Sequence, residues 1–350
     1  MKASYKKYIL DFKRPSGTSR GVLNQKVTYF LLLKNHNSFG IGECGLLKGL
    51  SVDDVPDYEL MLQWVCDNIS LGVVALCEVL KKFPSIQFGV EQVFMSLNAK
   101  DPYKLFTSDF TEKETPILIN GLIWMGEEAF MEEQIQKKLN EGFRCIKMKI
   151  GAIDFEKEYR LLKAIRKKYP KEVIELRVDA NGAFTVAEAM DKLERLAQLG
   201  LHSIEQPIRQ QNLQEMKTLC AKTPLPVALD EELIGIFEIA DKEKILQTVQ
   251  PQYIILKPSL VGGFKGSMEW ISLAKKYNIG WWITSALESN VGLNAIAQWT
   301  FTLNNNLPQG LGTGGLYTNN FDSPLSVEDG ALRYRLNTPW KNNLIESLCI

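Results

Sequence analysis

The chain has 350 residues, 45% of them hydrophobic, which suffices for one large core or for two unequal domains. Lysine plus arginine and aspartate plus glutamate each number 41, and this zero net charge argues against a nucleic-acid-binding protein. No run of about 18 apolar residues predicts a membrane span, and residues 1–8 lack the apolar stretch of a secretory signal.

Cysteine and histidine usage limits the possible chemistry. The six cysteines are scattered without the paired spacing of a metal site, so we expect buried thiols in a cytoplasmic protein. With only His36 and His202, a histidine-rich metal site and a Ser-His-Asp triad are both disfavoured. We therefore expect any metal ion in this protein to be held by carboxylates.

The first third of the chain places strands before helices. β-Rich runs cover residues 5–12 and 27–34, with a loop predicted at Arg14-Pro15-Ser16-Gly17 between them. Helices are predicted around residues 60–65, with Ser51 as a candidate cap, and over residues 89–98. This order predicts an α+β capping domain over residues 1–115, to which the C-terminal tail, residues 318–350, returns.

From about residue 115 the pattern changes to an alternation of strands and helices. Helices are predicted at residues 155–168 and 185–199, the second with a capping box of Thr185 and Glu188. The predicted strands are residues 116–122, 144–150, 175–180, 203–205, 227–230, 253–257, 281–285 and a segment around 310–312. About eight such repeats predict a (β/α)8-type (TIM-like) barrel over residues 116–317. An open doubly wound sheet is the alternative architecture.

One polar residue stands at the end of nearly every predicted barrel strand. These residues are Lys149, Asp179, Glu205, Asp230, Lys257 and Ser285. In a barrel the carboxyl ends of the strands converge on one mouth, where barrel enzymes carry their active sites. The period of two along a strand turns Lys147 and Lys149 inward and leaves Ile146 and Met148 outward against helices. Ionised groups inside a barrel must compensate one another or a metal ion.

Three of these strand-end residues are carboxylates: Asp179, Glu205 and Asp230. Their mutual repulsion is relieved by a hard dication, and Mg²⁺ prefers oxygen ligands while keeping positions for water or substrate. The alternative is an ion network in which each carboxylate pairs with a lysine. A lysine acts as a base when neighbouring positive charge or burial destabilises its ammonium form. The pattern therefore predicts a metal-assisted removal of a proton next to a substrate carboxylate, with Lys149 and Lys257 on opposite sides of the substrate.

This constellation resembles the enolase superfamily, in its muconate-lactonizing subgroup. The motifs are Lys147-Met148-Lys149, Asp179-Ala180-Asn181, Glu205, Asp230-Glu231 and Lys257. The resemblance implies that Asp179, Glu205 and Asp230 ligate Mg²⁺, for which Mn²⁺ can substitute, with Glu231 behind them. It also likens residues 40–43 and 49–51 to the cap loop that closes over the substrate, and residues 16–21 to its companion loop.

Within the subgroup the chain is most similar to the o-succinylbenzoate synthase family. The segments that carry this are residues 120–126, 256–263 and 285–292. The resemblance implies a lyase of menaquinone biosynthesis that dehydrates 2-succinyl-6-hydroxy-2,4-cyclohexadiene-1-carboxylate. Lys149 would be the base and then the acid, and Lys257 a cation over the ring. Lys147 would tune Lys149 and contact the substrate carboxylate. Substrate contacts would come from Asn181, Ser285, Ser289 and the loop at Gly312.

Other functions remain open at this point. An N-acylamino acid racemase or dipeptide epimerase uses the same scaffold with Lys149 and Lys257 as opposed bases. An epimerase usually carries an Asp-x-Asp run near the last strand, and residues 310–315 contain no acid. A Schiff-base aldolase barrel would need no metal, and a barrel that binds without catalysis ranks last. Either a monomer or a homo-oligomer fits the sequence.

Overall fold

The computed structural model describes residues 1–18, 21–35, 38–124 and 127–340. Outside these ranges lie His36, Cys349, part of the companion loop, Met125 and Gly126 of one family segment, and residues 341–350 of the tail. The N-terminal part consists of strands β1 (Lys2–Thr18), β2 (Gly21–Asn35) and β3 (Ser38–Cys44), followed by helices α1 (Tyr58–Asp67), α2 (Gly72–Val79), α3 (Pro84–Asn98) and α4 (Asp109–Lys113).

The cap is an antiparallel sheet of order β1-β2-β3 that packs on helices. The second half of strand β2 is apolar and buried on both faces. Its residues Tyr29, Leu31 and Leu33 pack against the cap helices, whereas Phe30 and Leu32 pack towards the barrel and the tail. The cap sheet thus packs on cap helices with one face and towards the barrel and the tail with the other, while α3 also reaches the barrel directly.

Two loop predictions in the cap are wrong. The segment at residues 14–17 belongs to β1, where the pairing with β2 shifts register between Asp11 and Ser16, so the polar run forms an irregularity in the strand. Residues 40–43 lie in β3, where a Cβ on Gly40 or Gly42 would come within 2.3 or 2.1 Å of a backbone oxygen of α3. These glycines serve the close packing of strand on helix.

The remaining elements form the barrel and a small C-terminal sheet. The strands are β4 (Ile117–Leu118), β5 (Gly121–Ile123), β6 (Cys145–Lys149), β7 (Glu175–Asp179), β8 (Ser203–Glu205), β9 (Val227–Leu229), β10 (Tyr253–Leu256), β11 (Gly280–Ile283), β12 (Leu325–Glu328) and β13 (Ala331–Tyr334). The helices are α5 (Glu128–Asn140), α6 (Phe155–Lys168), α7 (Val186–Ala197), α8 (Leu213–Lys222), α9 (Ile239–Val249), α10 (Pro258–Val261), α11 (Gly263–Lys276) and α12 (Asn290–Thr302).

Strands β5 to β11 form one parallel sheet in chain order, and it closes into a barrel. The closing segment is short: Gln309 bridges to Ile119 on one side and Gly310 bridges to Thr284 on the other. A Cβ on Gly310 would lie 1.6 Å from the hydroxyl of Thr284, so the closure depends on a glycine. The predicted barrel is confirmed and the open doubly wound sheet is excluded.

The predicted first barrel strand divides into two. Residues Ile117–Leu118 pair with β13 in a three-stranded sheet of order β12-β13-β4, and only Gly121–Ile123 joins the barrel. The tail contacts the cap as well, since Phe321 and Trp340 pack with Phe30 of β2. One apolar run thus supplies strands to two different sheets, which its hydrophobicity alone does not reveal.

The inside-outside alternation predicted for the barrel strands is confirmed. Ile146, Met148 and Ile150 belong to the large core between strands and helices. Inside the barrel, Ile255 and Trp282 form a separate cluster with Ala228. The capping box of α7 is also present, with the Thr185 amide donating to Glu188 at 3.0 Å.

Buried thiols are observed at the five cysteines of the described part of the chain, none of which forms a disulfide. In the same part of the chain, no single helix is long and apolar enough to cross a membrane. The consecutive segments Tyr58–Asp67 and Ile69–Lys82 reach that length and apolar character only when taken together, and a bend of 62° separates them.

Cap and barrel are joined by a buried carboxylate, Glu91 of α3. It accepts hydrogen bonds from the backbone N–H groups of Phe264 and Lys265, at 2.5 and 3.0 Å, in the first turn of α11. Burial raises the pKa of Glu91 to about 7. Between the ordinary pKa of a glutamate, about 4.3, and pH 7 the folded protein therefore keeps a proton that the unfolded chain releases.

We expect this carboxyl group to make the cap–barrel contact less stable as pH rises. The Glu91→Gln variant should lack this loss of stability. The difference in free energy of unfolding, variant minus original chain, should therefore increase from pH 5 to pH 8 by at most about 3 kcal/mol, at about 1.4 kcal/mol per pKa unit. Urea unfolding at a series of pH values measures this difference. Glu78→Gln, an exposed residue of α2 that pairs with Lys265, is the matched control and should show little of it. A pH-independent difference for Glu91→Gln would contradict the prediction.

Candidate active site

The carboxyl ends of neighbouring barrel strands bring the predicted polar residues together. Strand register pairs Lys149 with Asp179 and Asp179 with Glu205. Asp230 follows β9 and Lys257 follows β10, at the same end of the sheet. The side chains of Asp179, Glu205 and Asp230 are at most 2% exposed, so their charges depend on one another and on nearby cations.

Lys147 is the central cation of this group. Its Nζ lies 2.6 Å from Glu205 Oε2 and 2.9 Å from Asp179 Oδ2. Burial alone would lower the pKa of Lys147, but the two carboxylates outweigh it and hold that pKa well above its ordinary value. Lys147 is therefore a fixed positive charge between two strand ends.

Lys149 lies closer to the mouth. Its Nζ donates to Asn181 Oδ1 at 2.6 Å and lies 3.2 Å from Asp179 Oδ2. Asn181 adopts a left-handed backbone with φ of 45°, and its side-chain amide donates to Glu231 Oε1 at 3.0 Å. These two hydrogen bonds, from Asn181 to Glu231 and from Lys149 to Asn181, thus fix the direction in which the ammonium group of Lys149 points.

Lys257 follows β10, four strands away from β6 in the barrel sheet, and forms a short ion pair with Asp230. Burial lowers the pKa of Lys257, but the charges of Asp230 and Glu205 outweigh it, so that the pKa is raised. The nearby carboxylates thus affect the pKa values of Lys147 and Lys257 more strongly than burial and the neighbouring lysines do.

The pKa values of the three carboxyl groups are shifted in different directions. Burial opposes ionisation of Asp179, but Lys147 and Lys149 hold the pKa of Asp179 well below its usual range. Burial and the charge of Asp179 raise the pKa of Glu205 to about 8, and burial raises that of Asp230. The raised pKa values mean that the ionised forms of Glu205 and Asp230 would be stabilised by a further positive charge nearby.

A divalent cation fits this demand in its donor chemistry. Glu205 Oε1 is buried and has no hydrogen-bond partner among the described residues, and buried orphan oxygens require an explanation. In the described part of the chain, however, no three His, Cys, Asp or Glu side chains are already arranged around one point as metal ligands. Lysine ammonium groups lie between the carboxylates instead.

A cavity of about 850 Å³ opens above these residues, between the barrel mouth and the cap. Of the predicted site residues, it is bordered by Lys147, Lys149, Lys257, Asp179, Asn181, Glu231, Ser285 and Gly312. From the cap it is bordered by residues of β2, among them Leu23 and Lys26, and by the segment from Leu46 to Leu50. The volume suits a small organic molecule.

Ser285 and Ser289 occupy different environments. Ser285 shares a hydrogen bond of 2.6 Å with Thr313 and faces the cavity. Ser289 is fully buried and does not border the cavity. Its hydroxyl hydrogen-bonds to Glu43 Oε2 at 2.5 Å and accepts from the Val291 amide at the start of α12. This placement favours a role in docking the cap over a contact with substrate.

Some cavity residues were not singled out as site residues from the sequence. Thr313 supports Ser285, while Trp124, Leu46 and Lys26 border the cavity. None of them is the polar residue at the end of a predicted barrel strand, which is the feature that identified the other site residues. The nearest sequence signal for Thr313 was its position in the glycine-rich run 310–315, which resembles a nucleotide loop but serves here as the closing segment of the barrel.

Comparisons with known proteins agree with this architecture. A family model described as "Enolase C-terminal domain-like" matches residues 130–337. The o-succinylbenzoate synthase of Desulfotalea psychrophila is 47% identical, over 95% of this chain and 98% of that protein. The N-succinylamino acid racemase of Thermus thermophilus is 33% identical over 45% of this chain and 40% of that protein.

Solved structures give the same result. The crystal structure of MenC from Desulfotalea psychrophila superposes with a TM-score of 0.85 and 43% identity, covering 95% of this chain and 99% of that chain. A muconate lactonizing enzyme from Pseudomonas fluorescens reaches a TM-score of 0.84 at 21% identity, over 99% and 98% of the two chains, and shows the shared fold. The chain therefore belongs to the enolase superfamily, and within it to the o-succinylbenzoate synthase family.

Proposed function

We propose that this chain is a lyase that converts 2-succinyl-6-hydroxy-2,4-cyclohexadiene-1-carboxylate to o-succinylbenzoate and water, in menaquinone biosynthesis. The supporting observation is that Lys149 and Lys257 both border one cavity above the strand ends that carry Asp179, Glu205 and Asp230. The near full-length relative at 47% identity has this activity in its name. Membership of the family sets aside the Schiff-base aldolase barrel.

Lys149 acts as the base and then as the acid. In its neutral form, its Nζ takes the proton from the ring carbon that bears the carboxylate, and the C–H electron pair enters the ring. The resulting ammonium group returns the proton to the departing hydroxyl, which leaves as water while the ring becomes aromatic. Asn181, at 2.6 Å, holds the Nζ in place for both transfers.

Lys257 and Lys147 supply positive charge. Lys257 borders the cavity and stabilises the negative charge that spreads over the ring as the proton leaves. Lys147 is tied to Asp179 and Glu205. It places a fixed positive charge next to Lys149, at the point where the substrate carboxylate is proposed to bind.

The o-succinylbenzoate synthases of the enolase superfamily use a divalent metal ion, and we propose Mg²⁺ here, with Mn²⁺ as a substitute. Asp179, Glu205 and Asp230 would hold it, and Glu231 would support the site from behind. When bound, the ion supplies Lewis-acid stabilisation for the substrate carboxylate. Two observations support this assignment: Glu205 Oε1 has no hydrogen-bond partner among the described residues, and the pKa values of Glu205 and Asp230 are raised.

The rest of the cavity receives the remainder of a small-molecule carboxylate substrate. Ser285 and the backbone at Gly312 line its wall and are proposed to bind the succinyl carboxylate. We propose that residues 1–115, together with the tail 318–350, form the cap over this cavity and that residues 116–317 form the catalytic barrel. The segment from Leu46 to Leu50 is then the part of the cap that faces the substrate.

Racemisation of N-acylamino acids is a second candidate activity. Lys149 and Lys257 both border the cavity, and racemisation needs two opposed bases. The partial match to an N-succinylamino acid racemase also supports it. A dipeptide epimerase is less well supported, because the segment from Gly310 to Gly315 offers no carboxylate to hold an amino group.

The decisive experiment supplies the purified chain with Mg²⁺ and the cyclohexadiene substrate and follows aromatisation by ultraviolet absorbance. N-Succinylamino acids in D₂O, with deuterium incorporation measured by NMR, form the parallel arm. EDTA should abolish turnover and Mg²⁺ should restore it. Absence of aromatisation, with exchange in the parallel arm, would replace the proposed lyase by the racemase.

A further inference from the structure

A buried polar network at the junction of cap and barrel takes no part in the reaction described above. It comprises Lys26 and Glu43 of the cap and Glu288 of the loop after β11, all at most 3% exposed. Glu43 accepts from the amides of Ser289 and Gly292, at 2.9 and 2.8 Å, and so docks the cap on the start of α12. Buried charges of this kind are expensive and need a structural or functional reason.

Glu288 connects two neighbouring strand ends of the active site. Its Oε1 accepts from the Ser259 hydroxyl at 2.5 Å, and its Oε2 accepts from the Ala286 amide at 2.7 Å. Ser259 lies in the short helix α10, of which Lys257 is the N-terminal cap residue. Ala286 follows Ser285 directly. One fully buried carboxyl group thus spans the loops that carry Lys257 and Ser285.

The cap holds this carboxyl group from above. A Cβ on Gly45 would lie 2.9 Å from Glu288 Cγ and 3.1 Å from Ser259 Cβ, so the backbone of the cap packs closely on this pair and leaves no room for a larger residue. The charge of Lys26 attracts both Glu288 and Glu43, and Lys26 Nζ has no hydrogen-bond partner among the described residues. Burial lowers the pKa of Lys26, and the charges of Glu43 and Glu288 offset this in part, so the link of Lys26 to the network is electrostatic.

We infer that Glu288 is a positioning residue that fixes Lys257 and Ser285 relative to one another when the cap is seated at Gly45. The inference rests on the proposed function, because its test measures kcat of the proposed dehydration. The ammonium group of Lys257 must meet the ring of a substrate whose far end lies at Ser285. An error in the separation of the two loops therefore costs rate even if each residue is present.

The central test replaces Glu288 by alanine and by glutamine. Glu288→Ala should lower kcat about 10–100-fold, since a small misplacement caused by a distant mutation can cost about 10²-fold, while the Mg²⁺ affinity measured by calorimetry should not change. Glu288→Gln should retain most of the rate, because its amide oxygen can accept from Ala286 and its NH₂ can donate to the rotatable Ser259 hydroxyl. A loss of stability alone would lower the folded fraction and leave kcat per folded molecule and KM unchanged.

Two further variants approach the same pair from its other sides. Ser259→Ala removes one contact of Glu288 and should lower kcat several-fold, and its effect should not add to that of Glu288→Ala. Gly45→Ala pushes on Glu288 from the cap and should also lower kcat. Glu91→Gln, which alters a cap–barrel contact away from this pair, is the matched control and should leave kcat unchanged.

The outcomes separate this inference from the proposed function. An original chain that does not aromatise the cyclohexadiene substrate overturns the proposed function, and with it the inference. An active original chain together with folded Glu288→Ala of unchanged kcat overturns the inference alone. If Glu288→Ala does not fold, Ser259→Ala and Gly45→Ala decide, and unchanged kcat in both overturns it equally.

Discussion

Replacing Lys149 by alanine should lower kcat for the dehydration by about 10³-fold or more, since general acid–base groups contribute roughly 10²–10⁴-fold and Lys149 serves in both transfers. The fold should persist, because Lys147 remains 2.9 Å from Asp179 and continues to compensate its charge. Aromatisation followed by ultraviolet absorbance measures the rate. Circular dichroism and thermal unfolding verify that the variant is folded.

The control for Lys149→Ala is Lys217→Ala, an exposed lysine on α8, which should leave kcat unchanged. Solvent exchange gives a second reading of the same step. If Lys149 is the base, the variant should also fail to exchange the substrate α-proton with D₂O. A folded Lys149→Ala chain that retains turnover would remove Lys149 from this role and point to Lys257 as the base.

Replacing Asp179 by asparagine should weaken Mg²⁺ binding by about 100-fold or more, beyond the 10–100-fold typical of groups that only support a ligand. Asp179 carries the most firmly ionised of the three carboxyl groups, because Lys147 and Lys149 hold its pKa well below the usual range. The amide keeps the shape of the side chain but not its charge. Isothermal titration calorimetry with Mg²⁺ measures the affinity.

The matched control is Asp191→Asn, an exposed carboxylate on α7, which should not alter Mg²⁺ affinity. Unchanged affinity in Asp179→Asn would favour the alternative in which Asp179, Glu205 and Asp230 only pair with the lysines. Strand register pairs Asp179 with Glu205 directly and separates Asp230 by one further strand. Because Asp230 is nevertheless proposed as a third ligand of the ion, Asp230→Asn should also weaken Mg²⁺ binding in the same calorimetric series.

Local patterns in the sequence predicted the barrel and most of its mouth. A parallel barrel repeats one unit, so each strand end is marked by a short apolar run followed by a polar residue, as at Lys149, Asp179 and Lys257. The period of two then separates inward from outward side chains, as at Lys147 and Met148. These rules act over a few residues, and they apply equally whatever the rest of the chain does.

The contacts between distant segments were decided only in the tertiary structure. Glu43 meets Ser289 and Gly292 across the cap–barrel junction, and no local period connects positions so far apart in the chain. Ser289 reads from sequence as part of the active-site loop, yet the cap buries it. Likewise Ile117–Leu118 leaves the barrel for a C-terminal strand. The sequence by itself determined which residues stand at the strand ends, because strand geometry is local. Which of them face a shared cavity depended on how the cap packs on the barrel, because burial and pairing are set by the whole chain.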